Sequence, residues 1–200
     1  MSPVSEMTHD EIAEWAAGRV KKMGFPYAFA NMTSATAGEQ PDVLGMNAWA
    51  ESILVEVKVS RADFLADKKK PWRQKPEIGI GDRRVYLTPA DLIKPEEVPY
   101  GWEFWEVHGK NKPQLKVIKG WKKVKEESRF SGKEEMVTRL VGMDRDEHQY
   151  FKNLQRDKRS EAMWALKIIG RMIKAGFPVE KFANAAELKA MGVIKTVGDY

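Results

Sequence analysis

Three side chains carry the chemistry that can be read from this chain: Asp42, Glu56 and Lys58. Asp42 follows a proline and stands 14 positions before Glu56, with Lys58 two further on. From Ser52 to Ser60 the sequence reads SILVEVKVS. Ile53, Val55, Val57 and Val59 recur at period two, and Leu54, Glu56, Lys58 and Ser60 form the alternate set. Side chains alternate between the faces of a strand, so Glu56 and Lys58 project together, away from the β-branched set. A strand this rich in Val and Ile is expected to be central and covered on both faces. Burying a carboxylate there costs on the order of several kcal/mol unless it is paired, hydrogen-bonded or metal-bound. If DVLGM forms a short strand and Asn47 to Glu51 a turn, the hairpin returns Asp42 to the side of Glu56. Two carboxylates beside an ammonium suit a hard divalent cation such as Mg²⁺, which takes oxygen ligands and keeps several waters. The Val57 carbonyl is a further candidate ligand. Lys58 could orient or deprotonate a water, or stabilise charge developing on a phosphate. The plainer alternative is a surface hairpin with Glu and Lys on its wet face.

Pro41-Asp42 and Glu56-Val57-Lys58 resemble the PD and (D/E)XK elements of the PD-(D/E)XK nuclease superfamily, and VEVKVSR looks like the same strand in archaeal Holliday-junction resolvases. The resemblance is close from Pro41 to Ser60 and loose from about Thr8 to Val107. It implies an αβββαβ restriction-endonuclease-like core, a mixed sheet with helices on both faces. It also implies a Mg²⁺-dependent deoxyribonuclease, with Mn²⁺ able to substitute. Asp42, Glu56 and Lys58 would be catalytic, and the metal would lie on Asp42, Glu56 and the Val57 carbonyl. Members of the superfamily often donate a glutamate from the first helix. Glu11 sits beside Trp15 at the edge of that helix's apolar stripe and Glu14 points further to solvent, so Glu11 is the candidate; a helix-capping role is its alternative. His9 reads as a solvated first-turn residue. One metal centre cuts one strand at a time, which makes a homodimer plausible. The tail and the KKKPWRQK segment depart from the small resolvases, and the general look is that of phage or DNA-repair members.

The elements that must position these groups follow in order. Thr8-His9-Asp10-Glu11 reads as a capping box opening a helix to about Met23, closed by Gly24. A short strand lies within Phe25 to Thr33, and a small-residue loop from Ser34 delivers Asp42. Ser60 caps a helix running to Pro71, with Phe64 and Leu65 against the sheet. Lys68, Lys69, Lys70, Arg73 and Lys75, with Trp72 among them, could grip a phosphate backbone; a solvated charged face is the alternative. DRRVYLT and WEFWEVH read as strands, with a short helix from Pro89 to Ile93 between them. Gln114 to Ile118 is expected to be an edge strand. Lys110 to Lys133 holds nine Lys/Arg against two Glu and reads as a linker or a nucleic-acid-tracking arm. Lys133 to Val141 reads as a helix, Asp144 opens a longer one to about Lys174 that breaks between Lys152 and Arg159, and Val179 to Met191 reads as another. The division expected is a nuclease-like core over 1–120 and a helical C-terminal region over 121–200.

Composition sets outer bounds. The 200 residues are 42% apolar and 32% charged, with net charge +5, which favours a polyanionic partner. Cysteine is absent, excluding disulfides, thiolate metal sites and cysteine nucleophiles and fitting a cytoplasmic setting. No apolar run suits a signal peptide or a membrane span. A DNA-binding protein that keeps the nuclease fold without cutting is the alternative reading.

Overall fold

The computed structural model describes residues 7–33, 38–109, 112–127, 133–154 and 158–178. The chain divides into two units, Met1–Asp157 and Lys158–Tyr200. In the first, helix α1 (His9–Lys21) is followed by strands β1 (Tyr27–Ala30), β2 (Val43–Met46) and β3 (Ser52–Val57). Two short helices follow, α2 (Arg61–Asp67) and α3 (Pro71–Gln74). Then come β4 (Arg83–Pro89), β5 (Trp102–His108), β6 (Gln114–Glu127), β7 (Glu134–Val141) and α4 (Arg145–Asn153). The second unit contributes α5 (Lys158–Lys174), whose Trp164 is buried and whose Leu166, Ile169 and Ile173 are exposed.

The fold is α/β, built on one seven-stranded mixed sheet in the order β1-β2-β3-β4-β5-β6-β7. β1, β2 and β3 pair antiparallel, β3, β4 and β5 pair parallel, and β6 and β7 close the sheet antiparallel. The parallel pairs require crossovers, which α2 with α3 and the Pro95–Glu97 turn provide. Period-two burial explains the two faces. Ile53, Val55 and Val57 pack with Val85, Leu87, Trp105 and Val107 against Ile12, Ala13, Ala16 and Val20 of α1. Each fully buried aliphatic side chain contributes about 1.5–3 kcal/mol. The opposite face holds an aromatic layer: Tyr86 stacks on Trp102 at 4.3 Å, Phe64 meets Tyr86 edge-on at 5.2 Å, and Phe151 meets Trp102 at 6.0 Å. Thr8 caps α1 in a full capping box with Glu11, and Ser60 caps α2 through the Asp63 N–H.

Several expectations are corrected. Residues 134–141 are strand β7, in place of the helix expected over 133–141, and residues 114–127 form one 14-residue strand rather than a short edge strand followed by a linker. Residues 121–127 and 134–141 therefore extend the sheet, and among the described residues the helices of the C-terminal region begin at α4. The two strands hold each other through Lys125–Glu134 at 3.3 Å and Arg139–Glu126 at 2.5 Å. Residues 89–93 form no helix, because β4 runs to Pro89. Leu65 is exposed while Phe64 carries the packing of α2. The expected break in the C-terminal helix falls between α4 and α5. The helix expected over 179–191 lies outside the described residues.

Candidate functional site

The site forms where β3 outruns its neighbour. β2 pairs with β3 only as far as Val43 with Val55. Beyond that point the Lys58 N–H turns to Leu87 O of β4 at 2.9 Å, so the Val57 N–H faces the side that β2 has left. The Asp42 carboxylate takes it: Val57 N donates to Asp42 Oδ2 at 2.7 Å. N–H and C=O of one strand residue point the same way, so the Val57 carbonyl also faces this side. The hairpin thus brings Asp42 to the end of β3, as expected, and Glu56 and Lys58 project from the face opposite α1.

Glu56, Lys58 and Asp67 are buried, with exposures of 1%, 3% and 1%. Lys58 Nζ lies 2.9 Å from Glu56 Oε2, 3.5 Å from Asp67 Oδ1 and 3.9 Å from Asp63 Oδ2. Burial opposes the Lys58 ammonium, but Glu56, Asp67 and Asp42 outweigh it and hold its pKa above the usual lysine range. Lys58 is therefore a fixed positive charge, suited to stabilising an anion rather than to taking a proton. Burial pushes the Glu56 carboxyl up, with the Arg73 and Lys58 charges pulling against it. Its second oxygen, Oε1, has Arg73 NH2 at 3.1 Å but no directed hydrogen bond.

Asp67 is the hub that sequence reasoning missed. Its Oδ2 accepts from Arg73 Nε at 2.7 Å and from the Tyr86 hydroxyl at 2.7 Å, and its Oδ1 lies 2.6 Å from Lys70 Nζ. Burial alone would raise its pKa, yet Arg73 and Lys58 hold it well below the usual carboxylate range. Arg73 also bonds Glu39, whose other oxygen accepts from Ile80 N at 2.8 Å, and its guanidinium lies over Trp102 at 4.6 Å. Phe64 and Asp67 are three apart on one helical face, and that spacing was the available signal for Asp67. Glu39, Tyr86 and Arg73 reach the cluster through tertiary packing.

The basic run after β3 does not act as one surface. Arg73, expected on a phosphate backbone, is instead buried among Glu39, Glu56 and Asp67, because α3 turns it inward. Lys70 leans on Asp67, and Lys68 lies over the Phe64 ring at 4.7 Å. Lys69 and Lys75 are exposed.

Glu11 takes the capping role given above as its alternative. Its Oε2 accepts from Thr8 N at 2.8 Å and Thr8 Oγ1 at 3.0 Å, so it closes the capping box. His9, expected as a solvated first-turn residue, is instead half-buried against the site: His9 Nε2 lies 3.2 Å from Asp42 Oδ2. The hydrogen bond to Asp42, opposed by partial burial, raises its pKa to about 9.

The donors at the end of β3 are the Asp42 and Glu56 carboxylates and the Val57 carbonyl. This oxygen set fits a hard cation that keeps most of its waters. Glu56 Oε1, buried without a directed donor, is consistent with that fit. Among the described residues no three His, Cys, Asp or Glu side chains form a closed metal cage, which a site of this kind does not require.

No family model and no curated protein matches the chain. One solved structure, the SPO1766 protein of unknown function from Silicibacter pomeroyi, is similar to it at 18% identity and a TM-score of 0.43, covering 82% of this chain and 92% of that one.

Proposed function

We propose that the chain is a Mg²⁺-dependent nuclease of the PD-(D/E)XK kind, with a restriction-endonuclease-like core, that hydrolyses DNA phosphodiester bonds in DNA repair, recombination or phage DNA processing. One observation carries the reading. Asp42, immediately before β2, is bonded at 2.7 Å to the backbone of Val57, between Glu56 and a Lys58 held 2.9 Å from it. Asp42, Glu56 and the Val57 carbonyl would hold the cation, which when bound lowers the pKa of a water and neutralises phosphate charge. Lys58, charged and anchored by Glu56 and Asp67, would stabilise the negative charge gathering on the phosphoryl oxygens. Asp67 and Arg73 position Lys58 and Glu56 without contacting substrate. His9 orients Asp42.

The test is nicking of supercoiled plasmid and cleavage of labelled single strands, duplexes, flaps and four-way junctions with Mg²⁺ or Mn²⁺. Wild type should cut. Asp42→Ala and Lys58→Ala should each lower the rate at least about a hundredfold, the scale on which removal of one transition-state electrostatic contact is felt.

A specific observation supports a second reading, a non-cleaving DNA-binding protein. Lys58 and Arg73 already stand on the two oxygens of Glu56, so its charge is countered without a metal. Intact DNA with wild type and both variants, together with an unchanged gel shift, would decide for this reading.

A further inference from the structure

A groove of about 1130 Å³ runs beside α1, on the sheet face opposite Glu56 and Lys58. The end of α1 walls it, β6 residues Leu115, Val117 and Trp121 floor it, and exposed Lys122 and Lys123 stand at its rim. α1 is 13 residues long. It therefore separates this wall from His9 and Asp42 by about 20 Å.

The groove's charge is one-sided. Arg19, Lys22, Arg83, Lys116, Lys122 and Lys123 line it, and no carboxylate among the described residues does. Arg83 is committed to Glu103 at 2.6 Å, and Lys116 leans on Glu106 at 3.6 Å. Among the described residues no ion pair ends on the other four, and Arg19 Nε is buried without a hydrogen-bond partner. Unbalanced cations over an apolar, aromatic floor fit a ligand with regularly spaced anions and flat apolar faces. A recess of about 380 Å³ shares Met23, Gly24, Arg83 and Trp121 with the groove and reaches Trp49, which is 83% exposed at the tip of the β2–β3 turn. The recess's own carboxylates are occupied, Glu51 by Lys152 at 2.6 Å and Asp82 by Ser52 N at 2.7 Å. Two indoles thus lie along one cationic path.

We propose that this groove binds single-stranded nucleic acid, with Lys22, Lys122 and Lys123 on phosphates and Trp121 and Trp49 against bases. Unpaired bases offer their faces to an indole, whereas a duplex keeps them stacked within itself. The proposal does not depend on hydrolysis at Asp42.

The experiment is fluorescence anisotropy with a labelled oligothymidylate of about twelve nucleotides, in EDTA at low salt. The triple variant Lys22→Ala, Lys122→Ala, Lys123→Ala should bind at least about tenfold more weakly. Its slope of log K against log salt should be shallower by about 2, because each single-strand phosphate contact contributes about 0.7. Trp121→Ala should weaken binding about fivefold or more, and Trp121→Phe should retain most of it. A duplex of the same length should bind wild type more weakly than the single strand. Wild-type affinity in the triple variant overturns the proposal, as does preference for duplex with Trp121→Ala silent. With the metal chelated, a missing nuclease activity leaves this result untouched, and intact cleavage does not rescue it.

Discussion

Asp67 shows how a single buried carboxylate organises the site. Lys58, Lys70, Arg73 and Tyr86 all face it. Removing its charge leaves two buried cations, Lys58 and Arg73, with too little anion in a dry place. Breaking a buried ion pair in this way costs about 3–5 kcal/mol, so Asp67→Asn should melt well below wild type and unfold at lower urea. Tyr86→Phe removes one hydrogen bond and should cost about 1 kcal/mol; equal losses in the two variants would show that Asp67 is no hub. Glu103 permits a pH test away from the candidate metal ligands. Burial would raise its pKa, but Arg83 and His148 outweigh burial and hold it below the ordinary glutamate value. A lowered folded-state pKa contributes stability that is present above about pH 4.5 and lost as pH falls through the folded value. Glu103→Gln should therefore destabilise at neutral pH, and the gap to wild type should narrow on acidification below about pH 4.5 in a series of thermal melts. A gap that is constant with pH would rule out the linkage.

Elements explain which parts of the molecule could be read in advance. The alternation around Glu56 and Lys58 was legible because β3 is buried on both faces and its charges break the pattern. The hairpin that delivers Asp42 was legible from spacing and turn composition. β7 was not, because EEMVTRLV carries good helix formers in Glu, Met, Leu and Arg. Its strand state comes from pairing along β6, eight residue pairs from Gly120–Val141 to Glu127–Glu134. The inward turn of Arg73 was hidden for a related reason: Pro71 starts a new short helix, and a basic run gives no sign of which member turns inward. Close packing makes one glycine decisive. A Cβ on Gly45 of β2 would lie 2.5 Å from Val20 Cγ1 of α1 and 2.8 Å from Ile53 Cγ2 of β3. Gly45→Ala should cost about 1–3 kcal/mol as overpacking, read as a lower urea midpoint with unchanged slope. No loss would mean that α1 sits less tightly on the sheet than described.

At the scale of the whole molecule, the candidate cation site couples to global stability. A cation that binds only the folded chain stabilises it by about 2.7 kcal/mol at a hundred times its dissociation constant. Millimolar Mg²⁺ should therefore raise the wild-type melting temperature, and Asp42→Ala should abolish the rise. A wild-type melt indifferent to both Mg²⁺ and Mn²⁺ would remove the cation from the proposed chemistry. No helix among the described residues is long and apolar enough to cross a membrane. The sheet separates two electrostatic regimes: around Glu56 acids and bases neutralise each other, while in the groove beside β6 Arg19, Lys22, Lys122 and Lys123 stand without an acid among the described residues. Such a molecule has an electrical orientation. A polyelectrolyte drifting towards it would be drawn first to the β6 flank, so first encounters would slow as ionic strength rises, whereas the neutral pocket across the sheet would be indifferent to dilution of the buffer.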